Sequence, residues 1–443
     1  MKQLAGLIFC ILVITGAAGL KAQNESAAEV AREFIEKLRE AKYEDAYGMF
    51  NRKMKEAMAL EQLSSMWSQI NSQTGGFKDY LDFEIETTGE LVIINQGLEF
   101  EAIKLNARVT VNKEEKISGL YLMPYQSDAA WSKPEYADTT KFREKEIEFG
   151  LENQKLPGTL TIPAGNGPFP VLILVHGSGS HDRDETIGPN KPFKDLAWGL
   201  ASNGIAVFRY VKRTHRYKEQ FMGEQRNITI NEETVYDAVE AVNKLKEFEE
   251  LDSKRIFLLG HSLGGYIMPR IARLQDRAAG YIIMAGNMRP LEDLVIDQVQ
   301  YIAELDGLLS DEETKQINVM KKQVDRLAKE DFDEDTPATE LPMGIPAVYW
   351  MDLINYDPAE MAKDIDEPIL ILQGERDYQV TTVDYNLWRE AIGGRDNVKM
   401  ILYPKLNHLF MEGEGDSRPS EYNEAGNISP KVIRDISEWV KSI

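Results

Sequence analysis

Residues Arg255 to Tyr266 read RIFLLGHSLGGY. An apolar run from Ile256 to Leu259 breaks into Gly260-His261-Ser262-Leu263-Gly264-Gly265, and helix-forming residues follow. The stretch predicts a strand, a sharp turn and a helix, with Ser262 at the turn. Glycine on both sides of that serine has a steric reason. A serine forced into a strained turn keeps its hydroxyl exposed only if its flanks carry no side chains that collide with the strand and the helix. The same turn aims the first N–H groups of the helix at the space above Ser262, where the Leu263 N–H can hold an oxyanion. The plainer alternative, which the spacing alone leaves open, is a glycine-rich turn whose serine only caps the helix.

Outward from this stretch, strands and helices alternate from about Glu144. Lys145 to Phe149 and Thr159 to Ile162 predict a leading antiparallel pair. Strands at 171 to 175, 205 to 210, 256 to 260, 280 to 285, 368 to 373 and 398 to 403 then alternate with helices at 192 to 202, 230 to 249, 264 to 274, 384 to 391 and 429 to 442. Near-continuous apolar strands such as VLILV (171 to 175) and PILIL (368 to 372) indicate a parallel sheet buried on both faces, an α/β fold. The alternation is interrupted between 287 and 367 by amphipathic segments near 291 to 307 and 311 to 330, followed by an acidic stretch from Lys329 to Glu340. An insertion after the sixth strand is placed to be a lid over a site; the alternative is an inert helical ornament.

If Ser262 is a nucleophile, it needs a base, an acid that orients the base, and a second oxyanion donor. In a parallel sheet, ligands gather at the carboxyl ends of strands, so the candidates stand just after strands. There are five histidines. His261 is in the turn itself, pointing away from Ser262 and expected to be packed or hydrogen-bonded. His176 and His181 follow strand 171 to 175, and His215 sits in a basic segment after the next strand. His408 alone lies between the last strand and the terminal helix, which makes it the expected base. The acid belongs after the penultimate strand, in Gln373-Gly374-Glu375-Arg376-Asp377. Asp377 is preferred, Glu375 is the runner-up, and Asp384 is more distant because it opens the next helix and has work there as a cap. The loop His176-Gly177-Ser178-Gly179-Ser180 supplies glycines that let a backbone N–H near Ser178 approach an acyl oxygen.

HGSGSHDRDE (176 to 185), FRYVKR (208 to 213), GHSLGG (260 to 265), GERD (374 to 377) and Asn407-His408 together resemble the α/β-hydrolase superfamily, over about 144 to 443. The resemblance is closest to secreted serine esterases and lipases related to dienelactone hydrolase and to the S9 and S33 peptidase branches. It implies an α/β-hydrolase fold with Ser262 as nucleophile, Asp377 as acid, His408 as base, and Ser178 with Leu263 as oxyanion donors. It also implies hydrolysis of a small-molecule ester through an acyl-enzyme, with no metal and no organic cofactor. Arg183, Asp184 and Glu185 read as a structural ion network with Arg209 or Arg213. Tyr349, Trp350, Met351 and Tyr356 are candidates for an acyl or aromatic pocket under the lid, with core packing as the alternative. No acid cluster suited to an amine is visible, which disfavours a peptidase, whereas a thioesterase or acyltransferase would use the same triad. A reading from a different class is a binding or scaffold protein with an inert hydrolase domain; intact candidates at all three triad positions favour the enzyme.

The 443 residues exceed one ordinary domain. Lys2, the apolar Leu4 to Leu20 and the small Ala22 predict a signal peptide over 1–22, so the protein is expected to be exported, periplasmic or extracellular, with no stable membrane anchor after cleavage. The single cysteine, Cys10, lies inside that segment, and its loss leaves no thiolate nucleophile or disulfide. A formal charge of −22 argues against a nucleic acid partner. Residues 24–124 read as a separate small α+β domain. Val30, Phe34, Ile35, Leu38 and Ala41 fall at helical spacing, and period-two segments follow at 81 to 87, 90 to 95, 98 to 111 and 115 to 123. This portion resembles the cone-shaped domains of the nuclear-transport-factor or cystatin type, and an uncharacterised domain found ahead of secreted hydrolases. Such cones imply small-molecule binding or a homodimer through the N-terminal domain; a plain packing module is the alternative. Residues 125–142 have linker composition, with the hydrolase domain over 143–443 and its lid at about 287–367.

Overall fold

The computed structural model describes residues 24, 26–74, 76–88, 91–100, 104–125, 131–221, 228–275, 278–305, 307, 309 and 311–443. The segment 1–22, read as a signal peptide, lies outside the described residues. The chain divides into two compact units, Met1–Asp128 and Ala129–Ile443.

In the first unit, helices at 26–39, Tyr43–Gly48, Arg52–Ala57 and Leu60–Thr74 precede an antiparallel meander of β1 (Phe77–Thr88), β2 (Leu91–Phe100), β3 (Lys104–Val111) and β4 (Ile117–Pro124), in that spatial order. Phe34, Ile35 and Leu38 share a core with Val92, Ile94, Leu98, Phe100 and Val109, so the helical and the period-two patterns bury one face each against the other. The predicted strand 98 to 111 is two strands, because the alternation runs on from the end of β2 into β3 and hides the boundary between them.

The second unit is built on β5 (Phe142–Leu151), β6 (Gln154–Pro163), β7 (Phe169–Val175), β8 (Ala206–Tyr210), β9 (Leu251–His261), β10 (Gly280–Met284), β11 (Ile369–Gly374) and β12 (Val398–Tyr403). Their order is β12-β11-β10-β9-β7-β8-β6-β5. β5 and β6 pair antiparallel with each other, as do β6 and β8; the remaining neighbours are parallel. Val171, Ile173 and Val175 enter one core with the helices Tyr236–Leu245, Met268–Leu274 and Thr382–Ile392. Leu172 and Leu174 enter the opposite core with Pro192–Ser202 and Pro430–Ser442. Both faces are covered, hence the unbroken apolar strands. The chain leaves β7 for β8 on one side and returns to β9 on the other, so the sheet's switch point opens between the carboxyl ends of β7 and β9. Those ends carry Ser178 and Ser262.

Local departures from the sequence expectation have local causes. The helix expected over 264 to 274 is two, Leu263–Tyr266 and Met268–Leu274; Pro269, with no N–H to give, sits in the first turn of the second. Residues read as a connector over 125–142 belong, from Ala129 onward, to the second unit. There the Trp131 indole N–H donates to Asp195 at 2.8 Å and its ring stands edge-on to Trp198.

Between β10 and β11 the insertion runs through helices Leu291–Ala303, Asp311–Ala328, Ala347–Leu353 and Pro358–Lys363. Asp384 does not cap the helix after β11; the Thr381 side chain does, accepting from Val383 N. Instead the fully buried Asp384 carboxylate accepts from the Met288 and Arg289 N–H groups at 3.0 Å and pairs with the Arg289 guanidinium at 2.9 Å. It therefore pins the start of the insertion to the frame. Asp384→Ala, by leaving two N–H groups unpaired and the Arg289 guanidinium with only the exposed Asp297 as partner, is expected to cost about 2–4 kcal/mol. Urea denaturation followed by circular dichroism measures this, and an unchanged midpoint contradicts it.

Candidate active site

Ser262 follows β9 directly and has φ +53° and ψ −118°, a backbone that residues other than glycine rarely adopt. The flanking glycines are obligatory in the plainest sense. A β-carbon on Gly260 would lie 2.1 Å from the Gly264 carbonyl oxygen, and one on Gly264 would lie 2.4 Å from the Val175 carbonyl oxygen. Ser262 N–H bonds to Met284 O, and its own carbonyl accepts from Gly265 and Tyr266 N–H, so the turn is held from both sides. Its side chain caps no helix, which disposes of the plainer reading of the motif. Leu263 opens the helix, where its N–H has no acceptor within the helix.

His408 and Asp377 come from the loops after β12 and β11, as their order in the chain requires. His408 Nδ1 lies 2.7 Å from Asp377 Oδ2, both groups being buried. The other Asp377 oxygen accepts from Gln379 and Val380 N–H, and Gln373 Nε2 donates to Oδ2. Four hydrogen bonds thus fix the carboxylate, and the carboxylate fixes the imidazole with Nε2 as its remaining nitrogen. Glu375 is exposed and takes no part. The Ser262 hydroxyl and His408 are not hydrogen-bonded here; such contacts tighten when a substrate is bound.

The loop after β7 is tied to this frame by buried charges. Glu185 Oε1 accepts the Gly177 N–H at 2.6 Å, and Oε2 lies 2.8 Å from His261 Nδ1. His261 Nε2 faces the His408 carbonyl at 3.0 Å. Both partners of the His261 ring are acceptors, so the ring carries both protons. Burial pushes the His261 pKa down, but the Glu185 charge and hydrogen bond outweigh it and hold it above the usual value. Burial likewise pushes Glu185 up, and the His261 charge overrides it, bringing the carboxyl to about 2. The sequence placed Glu185 among arginines. Instead it serves His261, while Arg209 pairs with Asp184 and Glu144, Arg183 with Glu146, and Arg213 with Asp237. The buried Lys212 Nζ donates to Gly177 O at 2.7 Å and pairs with Glu233, which also accepts from the Tyr349 hydroxyl at 2.6 Å.

A cavity of about 480 Å³ opens over Ser262. Ser178 and Leu263 line it, and the insertion contributes Leu291, Leu294, Val295, Ile345 and Tyr349. Trp350 and Tyr356, expected in the pocket with Tyr349, are not in its wall. Trp350 is buried in the core on that side of the sheet, and the Tyr356 hydroxyl donates to Tyr266 O. One turn of the helix Ala347–Leu353 presents only one flank to the cavity, so neighbours in sequence go to different places. Glu233, Asn287 and Gln379 went unnoticed in the sequence, and Lys212, which falls in the motif FRYVKR and in a basic segment that reads as a solvated loop, was given no role at the site. For Lys212 the signal was there: a charge two residues after a fully buried strand.

A parallel sheet whose switch point carries a serine in a glycine-walled turn is the frame on which α/β hydrolases are built. A family model described as "Alpha/beta hydrolase family" matches residues 172–425, and one described as a protein of unknown function, DUF3887, matches 31–120. Esterase EstD of Thermotoga maritima is 39% identical over 408 residues, 92% of this chain and 93% of that protein. The chain belongs to the alpha/beta hydrolase family. Solved structures of a Pyrococcus furiosus esterase (18% identity, 68% of this chain and 91% of that one, TM-score 0.43) and of Est1E from Butyrivibrio proteoclasticus (16%, 67% and 96%, TM-score 0.42) are similar to it, too distantly to build on.

The Glu185–His261 pair sets a pH dependence with a definite sign. Glu185, with its pKa lowered, contributes stability that is present above about 4.5 and lost as pH falls through about 2. His261, with its pKa raised, contributes stability that is present below about 6.5 and lost as pH rises through its folded value. The difference in melting temperature between the parent and Glu185→Gln is therefore expected to be largest between these limits and to shrink toward alkaline pH. A difference that grows with rising pH contradicts this assignment of charges.

Proposed function

We propose that the chain is an exported serine esterase that cleaves small carboxylic esters through Ser262, His408 and Asp377 by way of an acyl-enzyme. The observation that carries the reading is a serine at φ +53° in a glycine-walled turn, one residue from an imidazole that bonds the backbone of His408, itself held by Asp377. The kinship with Esterase EstD over 92% of the chain supports the ester as substrate.

In this mechanism Ser262 Oγ attacks the ester carbonyl carbon as its proton passes to His408 Nε2. The C=O electron pair moves onto the oxygen, which the Ser178 and Leu263 N–H groups receive. Collapse of the tetrahedral adduct expels the alcohol, which takes the proton from His408, and leaves the acyl group on Ser262. Water then repeats the cycle, giving up a proton to His408 and releasing the acid with Ser262 restored. Asp377 keeps the imidazole in the required tautomer and stabilises it while it is charged. The apolar wall of Leu291, Leu294, Val295 and Ile345 supports an acyl chain lying under the insertion. Export rests on the segment Lys2 to Ala22, and fractionation of expressing cells tests it; a mature N-terminus still at Met1 contradicts it.

Ser262→Ala is expected to abolish fluorophosphonate labelling and to lower kcat at least about a thousandfold with an unchanged circular dichroism spectrum. Undiminished turnover of p-nitrophenyl esters by that variant ends the proposal, and faster turnover of aminoacyl amides than of esters by the parent replaces the esterase with a peptidase. Leu294→Trp should shorten the acyl groove. The expected loss in kcat/KM is at least about tenfold on the octanoyl ester and under about threefold on the acetyl ester. Equal losses on both esters would place the acyl chain elsewhere.

A further inference from the structure

Gly177 is the residue of the oxyanion loop that lies against the nucleophile. A β-carbon there would meet Ser262 Cβ at 3.2 Å and Glu185 Oε1 at 3.3 Å, a tight fit that favours glycine, and glycine has the least intrinsic preference for any one orientation of its peptide planes. The structure compensates with charge on both sides of that residue. Its N–H is held by Glu185 and its carbonyl by Lys212 Nζ at 2.7 Å. In a trans peptide the carbonyl and the following N–H point in opposite directions. Fixing Gly177 O on Lys212 therefore fixes the direction of the Ser178 N–H.

We propose that Lys212 is a positioning residue for the oxyanion hole, orienting and polarising the Gly177–Ser178 peptide, and that Tyr349 links this clamp to the substrate-facing wall. The inference rests on the esterase reading above, with the Ser178 N–H as an oxyanion donor. Lys212 is 1% exposed, and burying an ammonium is costly unless it is paired. Glu233 supplies the pairing charge, and the second oxygen of Glu233 takes the Tyr349 hydroxyl from the insertion. Pairing with Glu233 alone would not require an ammonium proton on Gly177 O; that second contact is what gives the cation a task at the site. Lys212 is in turn held to the same loop, its own N–H donating to His181 O at 3.1 Å. A charged donor on a carbonyl draws electron density from the peptide, so the opposite N–H becomes a stronger donor to a developing oxyanion. Such an effect favours the transition state over the bound ester, and so belongs in kcat rather than KM.

The test uses the full-length enzyme, p-nitrophenyl esters and a trifluoromethyl ketone, whose reversible adduct with a serine carries an oxyanion. Lys212→Met is expected to lower kcat about 10- to 100-fold, with KM changed less than about threefold, and to weaken ketone inhibition by the same factor as kcat/KM. The double variant Lys212→Met/Glu233→Gln removes the two buried charges together and is expected to remain as impaired as the single one. Recovery of kcat to within about threefold of the parent in the double variant overturns the proposal, since Lys212 would then serve only to neutralise Glu233. Loss confined to KM, or ketone inhibition that is unaltered, overturns it equally. If a Met variant does not melt cooperatively, Lys212→Gln, which stays polar but is one atom shorter and carries no charge, takes its place with the same expectation and the same overturning result. Ser262→Ala is run alongside. Full turnover in that variant ends the esterase reading itself, whereas an inactive Ser262→Ala beside an unimpaired Lys212 variant ends only this inference.

Discussion

The turn at Ser262 brings three stretches of backbone closer together than any side chain allows. With the Gly260 and Gly264 positions standing 2.1 and 2.4 Å, as β-carbons, from carbonyl oxygens of the turn and of β7, the strand, the turn and the neighbouring strand form one interlocked knuckle. The strained serine backbone costs on the order of 1–3 kcal/mol and persists because the buried sheet on both sides determines it. Everything else that bears on chemistry is referred to this point. The loop after β7 packs on it through Gly177, the loop after β12 is bonded to it through His261, and the insertion closes over it.

Charge does the joining between those loops. Asp377 with His408, Glu185 with His261, and Asp384 with Arg289 each join segments that belong to different strands, Lys212 with Glu233 braces the connection between β8 and β9 and reaches the loop after β7 through Gly177 O, and all have at least one fully buried member. Buried ion pairs contribute little net stability against well-packed apolar groups, because desolvation offsets most of the attraction. What they supply is direction. An apolar contact tolerates sliding, whereas a carboxylate that accepts two backbone N–H groups and a side chain has one position. The core sets where the strands end, and these pairs set how the loops leave them.

The frame was legible in the sequence because its rules are local. Apolar runs such as VLILV mark strands buried on both faces, and the glycine spacing around Ser262 marks a turn that no other residue permits. Chain order then led to His408 and Asp377. The failures share one physical origin, in that each concerned which group a side chain would find across the fold. Asp384 sits where a cap belongs, yet bonds to residues nearly a hundred positions earlier. Glu185 sits among arginines, yet its partner is His261, the residue before Ser262. Trp350 stands next to Tyr349, yet only the tyrosine reaches the cavity. Long-range pairing of polar groups leaves no periodicity to read.

The insertion leaves the carboxyl end of β10 and re-enters at the amino end of β11, two strands that are hydrogen-bonded neighbours. A segment spliced between adjacent strands is free to grow, shrink or be exchanged at small entropic cost, since loop closure rises only slowly with length. Descent with a changing diet of substrates would act first on such a segment. Tyr349 restricts that freedom: its hydroxyl is the insertion's share of the buried Glu233–Lys212 assembly. An exchanged segment that remodels the cavity wall without returning a donor to that spot takes a partner from Glu233 and so bears, through Lys212, on the backbone beside Ser262 as well. With Lys212 in the role proposed for it, altering what the enzyme accepts and altering how well it works would not be separate evolutionary moves in this lineage.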